Sequence, residues 1–68
     1  MSVAKVTEII ASSTTSFDDA IKQGIARTQK TIRDLKSAWV ESQQVLLNDE
    51  GKIKEHRVQL KITFAVED

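Results

Sequence analysis

The segment Arg57-Val58-Gln59-Leu60-Lys61-Ile62-Thr63-Phe64-Ala65-Val66 alternates with period two, and this pattern constrains the fold more than any other. Val58, Leu60, Ile62, Phe64 and Val66 project to one side of an extended chain, and Arg57, Gln59, Lys61 and Thr63 to the other. Residues 52–66 therefore read as a strand with one face seeking a core. A strand cannot bury that face alone, so a second layer must come from elsewhere in the chain. Residues 16–36 supply it. Ser16 is a helix-capping residue followed by Asp18 and Asp19, which favour the positive helix end. Phe17, Ala20, Ile21, Gly24, Ile25, Thr28, Ile32 and Leu35 then recur at three- and four-residue steps. Lys22, Gln23, Gln29, Lys30 and Arg33 lie opposite, and Lys30, Arg33 and Lys36 gather near the negative end. The pattern predicts a helix of about twenty residues, roughly 30 Å long. Gly24 lies within the apolar stripe, where it marks either close approach to a sheet or a tolerated defect.

Residues 3–10, VAKVTEII, are rich in β-branched types and read as a first strand. Residues 38–47 read as another, and Asn48-Asp49-Glu50-Gly51 as the turn that joins it to the last. The expected order is strand, helix, strand, strand, an α+β fold. The last strand sits centrally in an antiparallel three-stranded sheet, with the helix packed on one face.

A chain of 68 residues makes at most one domain, and a domain this small buries proportionately little surface. It contains no cysteine, so neither a disulfide nor a thiolate metal cluster can stiffen it. Burial between identical subunits is the remaining remedy. Ten basic residues balance ten acidic ones and alternate with them, unlike the basic excess that a phosphate-tracking surface needs. Nucleic acid is not an expected partner. No apolar run reaches signal-peptide or membrane-spanning length, and the expected setting is soluble and cytoplasmic.

Catalytic chemistry is poorly supplied, and no enzyme is expected. The Ser12–Ser16 hydroxyl run has a single histidine and no cysteine to support a nucleophile, and it suits loop and capping roles. His56 is one ligand where a metal site needs several, and it reads as a surface or interface residue on the polar side of the strand. The Asn48–Gly51 turn has acids but not the spacing of a calcium loop. Trp39, the single tryptophan, has two readings: packing at a subunit interface, or a platform for a planar ligand. Alternation predicts that Trp39, Glu41, Gln43 and Val45 share a face, placing hydrogen-bonding groups beside an aromatic surface.

Several segments resemble the dodecins, a family of small flavin-binding proteins that assemble as hollow dodecamers. Glu8-Ile9-Ile10-Ala11-Ser12-Ser13 is similar to the family's first strand and loop, and Ala20-Ile21, Ala26-Arg27 and Thr31 to its helix. His56–Phe64 is similar to its last strand. The resemblance spans nearly the whole chain and implies a single domain over residues 1–68. It also implies a homododecamer holding FMN, riboflavin or a lumichrome-type flavin at subunit interfaces. Trp39-Val40-Glu41 resembles the family's Trp-x-Glu when two residues are inserted after the helix; without the insertion, Ser37 takes the stacking position. The family's ring-binding glutamine is replaced by Arg57, and Gln44 or Leu46 stands at the place of an arginine later in the second strand. The resemblance thus implies a divergent branch whose flavin-site candidates are Ser37, Trp39, Gln44, Arg57 and Gln59. Glu41 would orient a donor or bind a cation. The alternative is a flavin-free structural dodecamer that binds calcium, magnesium or another small ligand.

Overall fold

The computed structural model describes residues 3–66. Three antiparallel strands and one helix follow in the expected order: β1 (Val3–Ser13), α1 (Phe17–Thr28), β2 (Leu35–Leu47) and β3 (Ile53–Val66). β3 is central, between β1 and β2. Its alternation explains the position, since both neighbours need a strand long enough to pair with each. β1 runs in unbroken register from Val3 opposite Val66 to Ser13 opposite His56.

The helix lies against β1 and β3. Ala20 of the helix and Val58, Leu60 and Ile62 of β3 are buried between the two layers, with Ile9, Ala11, Phe17, Ile21, Ile25 and Leu35 packed around them. Val58, Leu60 and Ile62 are thus the core, as the alternation requires. Gly24 marks a close approach. A Cβ placed there would stand 3.0 Å from Ala11 Cβ and 3.1 Å from Ile9 Cδ1.

Ser16 caps the helix, its hydroxyl accepting the Asp19 amide at 3.0 Å. The helix ends at Thr28, however, about two turns short of the expected end. The Thr28 hydroxyl donates back to the Gly24 carbonyl at 2.8 Å, and the Thr31 and Ile32 amides both turn onto the Thr28 carbonyl. Two β-branched threonines and an isoleucine favour helix weakly. Asp34 then takes a left-handed φ of 59°, reversing the chain, and its carbonyl accepts the Ala65 amide. Leu35, read as the last residue of the helical stripe, instead opens β2 opposite Phe64 and reaches the same core from the sheet. β1 also runs three residues past its expected end.

The β2–β3 turn is built by Asn48, whose side-chain oxygen accepts the Glu50 and Lys52 amides at 2.9 and 3.0 Å. Gly51 adopts φ 79°, a conformation in which a side chain would be strained.

Candidate functional site

The sheet face turned away from α1 carries the candidate residues. Antiparallel partners point to the same side, so the register defines rows across this open face. Ser37 stands opposite Thr63 and Val6. Trp39 stands opposite Lys61 and Glu8, and Gln44 opposite Arg57 and Ser12. Between these, the chain of β2 slips. Val40 pairs with Leu60 and Ser42 with Gln59, leaving Glu41 as the extra residue of a β-bulge.

The bulge corrects the alternation expected from sequence. Gln43 and Val45 fall opposite Val58 and His56, on the helix side, and are replaced beside Trp39 by Ser42 and Gln44. Glu41 nevertheless reaches the open face, where its carboxylate meets the Lys61 ammonium at 2.8 Å. The hydrogen bond and the charge of Glu41 raise the Lys61 pKa above its ordinary 10.5. Ser37, Trp39, Glu41, Gln44, Arg57 and Gln59 therefore share one surface, in two groups. Arg57 and Gln44 lie four residues along β3 from the row of Trp39, roughly 13 Å away at the strand rise.

Polar contacts stitch this face across the strands. The Ser42 hydroxyl donates to Gln59 Oε1 at 3.1 Å, and Gln59 Nε2 donates to Glu8 at 3.1 Å. Arg57 Nε donates to the Ser12 hydroxyl at 3.3 Å. Trp39 is 58% exposed on this polar lattice, and Val6 and Ile10 on β1, in the rows on either side of it, are exposed by 50% and 67%. The Thr63 hydroxyl is buried without a partner. Three hollows of about 150, 370 and 360 Å³ lie along the helix and its exit, and Trp39 lines none of them. The open face is therefore a surface that a second body must cover to make a pocket.

His56 sits elsewhere than expected. It faces the helix side, its ring edge-on to Phe17 with centroids 5.1 Å apart and its Nδ1 3.2 Å from the Ser13 carbonyl. The Ser13 hydroxyl donates to Asp19, and the Thr15 amide donates to Ser13 Oγ. The hydroxyl run thus ties the end of β1 to the helix start. Among the described residues, no three of His, Cys, Asp or Glu gather as a metal-binding group. No described helix is long and apolar enough to cross a membrane.

Sequence reading missed Lys61, Glu8 and Ser42 as companions of Trp39. The first two were legible from the polar alternation of their strands. Ser42 was not, because nothing in Trp39-Val40-Glu41-Ser42 announces a bulge.

A helix laid across a three-stranded antiparallel sheet, with a polar open face carrying one exposed indole, defines a small protein of α+β class with one uncovered sheet face. The chain belongs to the Dodecin family, whose model matches residues 3–67. It is 34% identical over 64 residues to the calcium dodecin of Mycobacterium tuberculosis, covering 94% of this chain and 89% of the relative. The solved structure of that calcium dodecin, described as calcium chelating, superposes with a TM-score of 0.83 at 31% identity, covering 96% of this chain and 91% of that one. The dodecin from Streptomyces davaonensis gives a TM-score of 0.92 at 31% identity, over 98% and 97% of the two chains.

Proposed function

We propose that the chain is the subunit of a closed homo-oligomer, a dodecamer on the family pattern, and that it stores a planar aromatic ligand of the flavin class between subunits. The supporting observation is Trp39, an indole more than half exposed on a face of hydrogen-bonding side chains and outside the three hollows along the helix. Exposed apolar surface of this kind, rimmed by polar groups, is where partners and ligands bind. The residues fit such a ligand in their chemistry. Trp39 offers a stacking plane, and Gln59 an amide with one N–H and one lone pair beyond those it uses. With Nε held by Ser12, Arg57 keeps its two terminal nitrogens, and its distance from Trp39 suits a phosphate tail better than the ring. Ser37 flanks Trp39 on the same face and Gln44 flanks Arg57. The proposed role is binding and storage, in one domain, without catalysis.

A second reading takes calcium as the ligand, and the calcium dodecin relative favours it. Glu41 and Glu8 would be the donors from this face. Both are engaged, by Lys61 and Gln59, so cation binding would have to break those contacts or draw acids from neighbouring subunits.

Titration with riboflavin, FMN and lumichrome, following flavin emission, tests the first reading. Undiminished emission at micromolar protein refutes it, and calorimetric titration with calcium tests the second. Trp39→Ala separates platform from packing. Binding lost with the assembly mass unchanged marks a platform, and dissociation marks an interface anchor.

A further inference from the structure

We infer that the row of Ser12, Arg57 and Gln44 on the open face is an oxyanion subsite that takes a phosphate group, free or carried at the end of a larger ligand. The three residues stand opposite one another across β1, β3 and β2. Arg57 is half-buried, and its guanidinium is a fixed cation. Its Nε donates to the Ser12 hydroxyl at 3.3 Å, while its terminal nitrogens meet no acceptor among the described residues. In the row of Trp39 the charges are answered, Lys61 by Glu41 and Glu8 by the Gln59 amide. Arg57 is thus the cation of the two rows that lacks a counter-charge. A cation drawn partly out of water without one is a cost that a bound anion would remove.

The balance of donors and acceptors sets the class of ligand. Arg57 keeps every N–H of its terminal nitrogens, Gln44 its amide NH₂, and Ser12 its own hydroxyl hydrogen. Donors outnumber acceptors in the row, which suits a group with several anionic oxygens. A guanidinium fork binds such oxygens through parallel hydrogen bonds. Glu55 lies two residues back on the same face, roughly 7 Å away at the strand rise, and forms no ion pair with Arg57. Its charge opposes an incoming anion, so its removal must strengthen binding.

Equilibrium dialysis of the assembled protein against labelled inorganic phosphate reads the subsite alone. Quenching of FMN against riboflavin reads a phosphate carried on a ligand, and this second arm rests on the reading of Trp39 as a stacking platform. Arg57→Gln should weaken phosphate retention about tenfold, the scale of one charge-assisted hydrogen bond. Glu55→Gln should strengthen it about threefold, the scale of one charge roughly 7 Å away in a watery setting. Assembly mass and far-ultraviolet dichroism of both variants stay as in the parent. FMN held about tenfold more tightly than riboflavin, with the gap closed in Arg57→Gln, assigns the phosphate to a ligand tail. Equal affinity for the two flavins, with phosphate retained, assigns it to a free anion. If neither flavin binds, the platform falls and phosphate retention alone decides the subsite. The inference is overturned if the parent shows neither phosphate retention nor a preference for FMN. It is overturned equally if Arg57→Gln leaves either effect unchanged, or if Glu55→Gln fails to strengthen binding. Dissociation of the Arg57→Gln assembly also overturns it, because the partner of Arg57 is then a carboxylate of a neighbouring subunit.

Discussion

Replacing Gly24 by alanine sets two known effects against each other, and the packing beneath the helix decides the sign. Alanine is favoured over glycine in a helix interior by about 1 kcal/mol. The added methyl would lie 3.0 Å from Ala11 Cβ, 3.1 Å from Ile9 Cδ1 and 3.5 Å from Leu60 Cδ1. Comfortable carbon contacts fall at about 3.5–4.0 Å, so the contact with Leu60 is acceptable and the other two are not. Ile9 can withdraw its terminal methyl by rotation. Ala11 cannot, because its Cβ is fixed to the strand, and relief there means moving backbone. Overpacking of this kind costs about 1–3 kcal/mol. Gly24→Ala is therefore expected to lose about 1 kcal/mol net, taking the middle of that range. In an Ala11→Gly background the clash is gone, and the same substitution should gain close to 1 kcal/mol, the helix preference alone. The sign reversal corresponds to a coupling of about 2 kcal/mol between the two positions. The measurement is urea unfolding by circular dichroism for all four proteins, at one subunit concentration because association shifts apparent stability. If Gly24→Ala stabilises the parent, or changes both backgrounds alike, the helix is not seated on β1 as closely as the 3.0 Å approach to Ala11 requires.

Leu60 is fully buried, and Leu60→Ala should cost about 2–5 kcal/mol in the same unfolding experiment. Ser16→Ala removes the helix cap and should cost about 1 kcal/mol, whereas Ser16→Asp, which keeps an acceptor, should lose far less. Lys61 has a raised folded pKa, so the stability its pairing with Glu41 contributes is fully present below the ordinary 10.5 and is lost as pH rises through the folded value. Unfolding midpoints measured from pH 9 to 12 should therefore fall less in Glu41→Gln than in the parent. An identical alkaline decline in both proteins would exclude the pair as its source.

The sheet was legible because its information is local and periodic. Alternation in β3 named Val58, Leu60, Ile62, Phe64 and Val66 for one face without any knowledge of partners; the first three are buried and the last two half-buried, and Asn48 to Gly51 carried their own turn chemistry. The helix end was misread for a physical reason. Leu35 continues the three- and four-residue spacing, but the same apolar side chain meets the core equally well from a strand. The outcome was decided by Thr28 and Asp34, through a hydroxyl turned back on the helix and a positive φ, and neither leaves a mark in hydrophobic spacing.

The same limit governs the candidate site. Face assignments along β2 depend on counting residues in twos, and one inserted residue at Glu41 reverses every assignment beyond it. Without the bulge, Gln43 would face outward and Ser42 would face the helix side, leaving Gln59 without its β2 partner. With it, Trp39, Glu41, Ser42 and Gln44 all stand on the open face, and Lys61, Gln59 and Arg57 of β3 answer them across the ladder. The open polar face is thereby assembled on the family's scaffold by a change of register rather than of core. That is why the fold was readable from pattern, while the companions of the single tryptophan required the backbone path.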